Sequence, residues 1–270
     1  MSASDRAFPT FEVKGIFVAA VDLAFARDFL GQHASNAHGE YVAVTGAHGI
    51  VESAHDERIR SAHQQALMVV PDGMPLVWLG RLLGYNSVGR VYGPELMEFI
   101  FADQQHRQLR HFFYGAEPSV IRKLCQVLRA RFGEFNLVGS HSPPIKPLGF
   151  VEQDDVLARI RDLRPEFIWV GLSTPKQEVW MQMHMPKIGC GLAVGVGAAF
   201  DLLSGNTVQA PRVIQRSGLE WLFRLAMEPR RLFKRYALVV PQFLYFMVET
   251  VLRSRRRSRH QTANTNISAL

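Results

Sequence analysis

The chain has 270 residues, 47% of them hydrophobic, with 31 Lys or Arg against 24 Asp or Glu and a formal net charge of +7. That length and apolar content suffice for one large buried core plus an appendage, and they exclude collagenous and disordered classes. Cys125 and Cys190 stand alone with no CxxC spacing, so neither a disulfide framework nor a zinc site is indicated and a reducing compartment fits.

From the N-terminus, MSASDRAFPTFEVKG shows no charged region followed by an apolar core, so no secretory signal is read and a cytosolic location is expected. Short apolar runs bounded by Gly or Pro then alternate with longer amphipathic stretches. The runs 16–21, 41–44, 67–70, 111–114, 135–138, 167–170 and 192–196 predict buried strands. Segments 22–30, 48–65, 75–83, 94–105, 118–131, 154–163 and 177–183 have helical spacing, several with Pro in the first turn. The alternation predicts a Rossmann-like α/β fold with a mostly parallel sheet flanked by helices. In such sheets ligands sit beyond the carboxyl ends of the strands.

Four strand-end loops carry chemistry. In Val44-Thr45-Gly46-Ala47-His48-Gly49, small residues and free amides suit a phosphate or sugar, and the Thr45 hydroxyl serves either a ligand or a helix end. In Val70-Pro71-Asp72-Gly73, Asp72 stands where a general base would be held, although Pro-Asp-Gly also favours a plain turn. In Ser173-Thr174-Pro175-Lys176-Gln177, a cation and an amide open a helix. Gly195-Val196-Gly197-Ala198-Ala199-Phe200-Asp201 matches only part of the dinucleotide fingerprint, because Phe200 fills the place of its third small residue.

No Asp-x-Asp pair offers a metal site. Asp154-Asp155 most simply balances a helix dipole, and His48, His55 and His63 read as separate histidines.

Charge is concentrated at the end of the chain. Residues 212–259 hold twelve basic and three acidic side chains, against 19 and 21 in residues 1–211. Arg230, Arg231, Lys234 and Arg235 recur at helical spacing, with Trp221, Leu222, Leu225, Leu232 and Phe233 as apolar packing. Next comes a 17-residue apolar run, 236–252, interrupted by Pro241, Gln242 and Glu249, which suits insertion at a membrane surface better than spanning. Arg253, Arg255, Arg256, Arg257 and Arg259 follow, and each such charge near an anionic lipid surface is worth about 1 kcal/mol. The expected organisation is an α/β domain over 1–211, a basic amphipathic helical appendage over 212–259 and a disordered tail over 260–270. Nucleic-acid binding would explain the charge, but neither the apolar run nor the strand-end loops.

VPDG, Arg90-Val91-Tyr92-Gly93-Pro94-Glu95-Leu96-Met97, FFYGAEP, GSHSPP, GLSTPKQEVW, GVGAAFDLLSGNTVQAPR and GLEWLFRLAMEPRRLFKRY occur in that order. Together they resemble the WecG/TagA/CpsF glycosyltransferases. The resemblance implies an inverting, metal-independent transfer of a sugar from a UDP-sugar to a polyprenyl-diphosphate-linked saccharide. Such an enzyme would work on the inner face of a bacterial membrane in cell-surface polysaccharide synthesis, with no cofactor, no nucleic acid and a possible homo-oligomeric state. It implies Asp72 as catalytic base, and Thr45, Arg90, Gln177 and Asp201 on the substrate side, with a helix cap as the other reading of Asp201. Arg224, Arg231 and Arg235, then Arg230, are the candidates for the diphosphate. Where the family commonly carries Asn two positions after the Thr, this chain has Ala47, which removes one amide from the sugar contacts and keeps open a catalytically inactive membrane adaptor of the same fold.

Overall fold

The computed structural model describes residues 7–144 and 147–267, except the side chains of residues 212, 216, 231 and 257–267. Its elements run β1 (Thr10–Val13), β2 (Ile16–Ala19), α1 (Leu23–Ala34), β3 (His38–Thr45), α2 (Ala47–His55), α3 (Glu57–Gln64), β4 (Met68–Pro71), α4 (Met74–Leu82), α5 (Gly93–Ala102) and α6 (Gln104–Arg107). They continue as β5 (His111–Gly115), α7 (Pro118–Phe132), β6 (Leu137–His141), α8 (Asp154–Leu163), β7 (Phe167–Gly171), α9 (Lys176–Ile188), β8 (Gly191–Gly195), α10 (Ala199–Leu203), α11 (Arg212–Arg216), α12 (Glu220–Met227) and α13 (Pro229–Ile267).

Six strands form one sheet in the order β4-β3-β8-β7-β5-β6, and each neighbouring pair is parallel. The side-chain alternation explains why the strands read as continuous apolar runs. Val42 and Val44, Phe167 and Trp169, and Leu192 and Val194 enter the core packed with α1, α5 and α7, while Tyr41 and Ala43, Ile168 and Val170, and Ala193 enter the core on the opposite face. A parallel sheet covered on both faces needs apolar residues at both parities. One expected strand is used differently, since Ile16–Ala19 pairs antiparallel with β1 in a separate hairpin.

The stretch expected as one helix over 48–65 is two. Asp56 takes extended dihedrals, and its carboxylate accepts from the Arg58 amide at 2.9 Å, capping α3 and ending α2.

The appendage packs back on the domain. Along α13, Leu232, Val239, Phe243 and Phe246 are buried. Lys14, in the turn of the β1-β2 hairpin, pairs with Glu249 at 2.6 Å and lies 4.5 Å from the Phe246 ring centre, and His55 meets Gln242 at 2.8 Å. Leu238, Tyr245 and Leu252, seven residues apart, form an exposed stripe with Leu244 and Val248. By length and composition, Leu232–Arg256 is long and apolar enough to cross a membrane. The helix runs to Ile267, across most of the segment whose composition suggested disorder, because an established helix adds one hydrogen bond per residue fixed. Residues 268–270 lie outside the described residues.

Candidate active site

The loops after β3, β4, β7 and β8 meet at the carboxyl edge of the sheet, and Asp72 stands among them. Its position is built by backbone geometry. The Asp72 amide donates to the Thr45 carbonyl at 2.9 Å, extending the β3-β4 ladder by one bond. Gly73 then turns the chain into α4 at φ 118° and ψ 153°, a conformation that only glycine enters without strain. At Gly46 a side chain would meet the Asp72 carbonyl oxygen at 2.7 Å, so the close approach of the two loops also requires glycine.

Burial pushes the Asp72 carboxyl up to about 7. The Glu220 charge adds to the rise, while Arg224 and Arg90 oppose it and Glu95 contributes a smaller upward push. A base with a pKa near the working pH is matched to taking a proton from a neutral hydroxyl.

Asp72 lies at the junction of two spaces. One is a cavity of about 470 Å³ between the sheet edge and the appendage, bounded by Gly46, His48, Trp78, Tyr92, Arg224 and Phe243 among others. The other is a cleft of about 60 Å³ reaching Thr174, Gln177 and Gly197, and Tyr92 and Arg224 border both. A separate cavity of about 250 Å³ lies beyond β5 and β7, with Glu117, Lys176 and Asp201 on its walls.

Arg90 borders the large cavity, yet its guanidinium already has three acceptors and a ring beneath it. It donates to Glu95 at 2.8 Å, Glu220 at 3.0 Å and Gln215 at 2.9 Å, and it covers the Tyr92 ring with its centre 4.5 Å away. Arg90 therefore clamps α11 and α12 to the domain. Arg224 donates to the Tyr92 hydroxyl at 3.2 Å and pairs with Glu220 at 3.1 Å, so one carboxylate bridges both arginines. Burial, reinforced by Glu220, raises the Tyr92 phenol and keeps it protonated.

Gln177 is buried at the start of α9. Its Oε1 accepts from the Gly197 amide at 2.9 Å and its Nε2 donates to Glu178 at 3.1 Å, which fixes the glycine loop after β8 against the cleft. Thr45 is placed differently from the ligand-facing expectation. Its hydroxyl is wholly buried and lies 2.8 Å from His63 Nε2. His63 Nδ1 faces the Ile59 carbonyl at 2.9 Å and donates to it. Thr45 thus serves the site through its backbone, while its side chain points inward.

Asp201 does not cap α10, whose cap position is Ala198, and it borders the separate cavity away from Asp72. Arg235 is exposed beside His48, whose imidazole is held less basic first by burial and then by the Arg235 charge. Arg230 is exposed, and the Arg231 side chain lies outside the described residues. Tyr92, Gln215 and Glu220 belong to the site although sequence reasoning did not single them out. Its being one of only three acids among twelve tail cations was the available signal for Glu220.

Over residues 11–259 the chain matches the Glycosyl transferase WecG/TagA/CpsF family. It belongs to that family. A Bacillus spizizenii relative named N-acetylglucosaminyldiphosphoundecaprenol N-acetyl-beta-D-mannosaminyltransferase is 28% identical over 207 residues, covering 77% of this chain and 76% of the relative. The WecG/TagA/CpsF match includes the strand-end loops and the appendage through the cavity-bordering part of α13, so the family unit and the site described above coincide.

Proposed function

We propose that this chain is an inverting glycosyltransferase that moves a sugar from a UDP-sugar to a polyprenyl-diphosphate-linked saccharide during cell-surface polysaccharide synthesis. The observation that carries the reading is Asp72, a carboxyl raised to about 7 at the junction of two spaces that can receive separate substrates. The Asp72 carboxylate takes the proton of the acceptor hydroxyl as that oxygen attacks the anomeric carbon. The bond from this carbon to the donor diphosphate breaks in the same displacement, UDP leaves with the electron pair, and the anomeric configuration inverts.

The donor reading follows the sheet edge. The nucleoside fits the cavity at Asp201, and the sugar lies toward the cleft shaped by Gln177. Positive charge for the departing diphosphate comes from Arg224 and Arg235, with Arg230 and Arg231 beside them in sequence, and Arg90 keeps the lid in place. Arginine suits this task because its planar fork meets phosphate oxygens bidentately. No metal or cofactor has a part in this scheme.

Peripheral attachment to the inner membrane face is supported by the exposed stripe on α13 and by the exposed Arg253, Arg255 and Arg256 after it. The Lys14–Glu249 and His55–Gln242 contacts hold the middle of the helix against the domain, which favours a helix lying on the surface over one crossing it.

The direct test is sugar transfer from a panel of UDP-sugars to polyprenyl-diphosphate N-acetylglucosamine, with the product anomer assigned by NMR. Turnover with inversion is expected. A retained anomer, or turnover by the Asp72→Asn variant equal to that of the unaltered chain, would overturn the mechanism.

A further inference from the structure

The cavity beside Asp72 has two unlike ends. One holds Asp72, Arg90, Tyr92, Glu220 and Arg224, and the other is walled by Met74 and Trp78 of α4 and by Val240, Phe243, Leu244 and Met247 of α13. A sugar nucleotide has no use for the second end. Its hydroxyls and phosphates would lose water there and find no partner. Water is a poor occupant for the same reason, since an ordered water needs two or more polar neighbours.

The apolar wall also reaches the outside. Trp78 is 42% exposed, Leu219 49% and Leu244 56%, and all three line the cavity. Leu244 belongs both to that wall and to the exposed stripe of α13, so cavity and stripe form one continuous apolar path. A molecule with a polar sugar-diphosphate head and a long hydrocarbon tail matches this arrangement, whereas a free oligosaccharide matches only half of it.

We infer that the apolar half of the cavity is a subsite for the first isoprene units of the acceptor lipid. The chain threads between α4 and α13, its head lies toward Asp72, and the rest of the lipid continues outward past Leu244. This assignment rests on the glycosyl-transfer reading above and adds that the enzyme recognises the lipid itself. Each buried methylene is worth roughly a fourfold change in affinity.

The test uses acceptors with one sugar-diphosphate head joined to a methyl group or to one, two or four isoprene units. They are assayed without detergent and below self-association. The acceptor KM is expected to fall about tenfold or more for each of the first units and then to level off once the cavity is filled, with the donor KM constant along the series. The Val240→Trp substitution, which fills the apolar end, is expected to bring the acceptor KM values within about twofold of one another. The unaltered chain decides the matter if that variant does not fold.

Transfer with a KM independent of chain length overturns the subsite and leaves the transferase reading standing. A steady fall through four units that Val240→Trp does not change also overturns it, by placing lipid recognition on the outer surface. Absence of transfer to any acceptor removes both readings.

Discussion

The sheet edge and the appendage supply the two walls of one site by opposite means. At the sheet edge, position is fixed by backbone: the ladder bond to Thr45, the turn at Gly73 and the close approach at Gly46 leave Asp72 little freedom. In the appendage, position is fixed by side-chain charge, with Arg90, Glu95, Gln215, Glu220 and Arg224 joined across elements far apart in sequence. Backbone geometry suits an atom that must meet its target within a fraction of an ångström. Charge pairing suits a lid that must close on an ionic ligand and release it.

Changing the strand-end carboxylate is the sharpest way to break this comparison. Asp72→Asn keeps the shape and removes the base, so kcat is expected to fall on the order of a thousandfold, within the usual range for a lost general base. In the unaltered chain, activity should rise as pH passes through about 7, where the carboxyl ionises. Stability should move the other way. The folded chain keeps a proton on Asp72 up to about 7, whereas the unfolded chain releases it near the ordinary aspartate value of 3.8, so stability falls between those values as pH rises. The Asn variant is neutral throughout and should melt higher than the parent at pH 8, by about 5 °C in calorimetry, with the gap closing below pH ~4.

The charged wall should yield smaller effects. Arg224→Ala removes the bond to Tyr92 and leaves Glu220 with one arginine, and a loss of about a hundredfold in kcat/KM is expected from steady-state assays. Glu220→Gln removes the acid that raises the Asp72 carboxyl most, against Arg224 and Arg90 which oppose it, so the pH midpoint of activity should move lower. An unchanged midpoint would show that Glu220 has no part in setting the Asp72 carboxyl.

Farther out, Arg255→Glu with Arg256→Glu should weaken co-sedimentation with anionic liposomes by at least about tenfold, at about 1 kcal/mol per charge. Binding equal to the parent's would detach this end of α13 from the membrane. Least of all, Lys14→Ala removes one partly exposed ion pair and a ring contact, and a drop of about 2 °C in melting temperature is expected.

The sheet and the place of Asp72 were legible because both are local. Apolar runs of strand length ending in Gly or Pro mark the strands, and Pro71-Asp72-Gly73 marks the turn. The burial of the Thr45 hydroxyl was not legible, because both parities of β3 enter a core. Tyr41, Ala43 and Thr45 alternate with Val42 and Val44, and the first two enter the core on one face while the valines enter the other. The pairing of Arg90 with Glu220, 130 positions away, was not legible either, because no local pattern carries such a contact.

The amphipathic segment before 236 and the apolar run 236–252 are joined in α13. Pro241 sits inside this continuous helix, and residues from both segments, Glu220 and Arg224 of the first and Tyr236 and Met247 of the second, line the cavity with Asp72. Truncation before residue 237 would therefore remove part of the cavity wall together with the membrane-facing stripe. Substitutions on the exposed face separate the two roles more cleanly.

Glu220 carries one more consequence. Because it already pairs with Arg224, a dianion arriving at that guanidinium, as proposed above, would gain only the difference between its own contacts and those that Glu220 gives up. In that scheme charge is exchanged, and the carboxylate would reclaim Arg224 when the ligand departs. Such an arrangement would trade tight capture for easy release, since a guanidinium with a resident carboxylate partner has little reason to hold on to a spent anion.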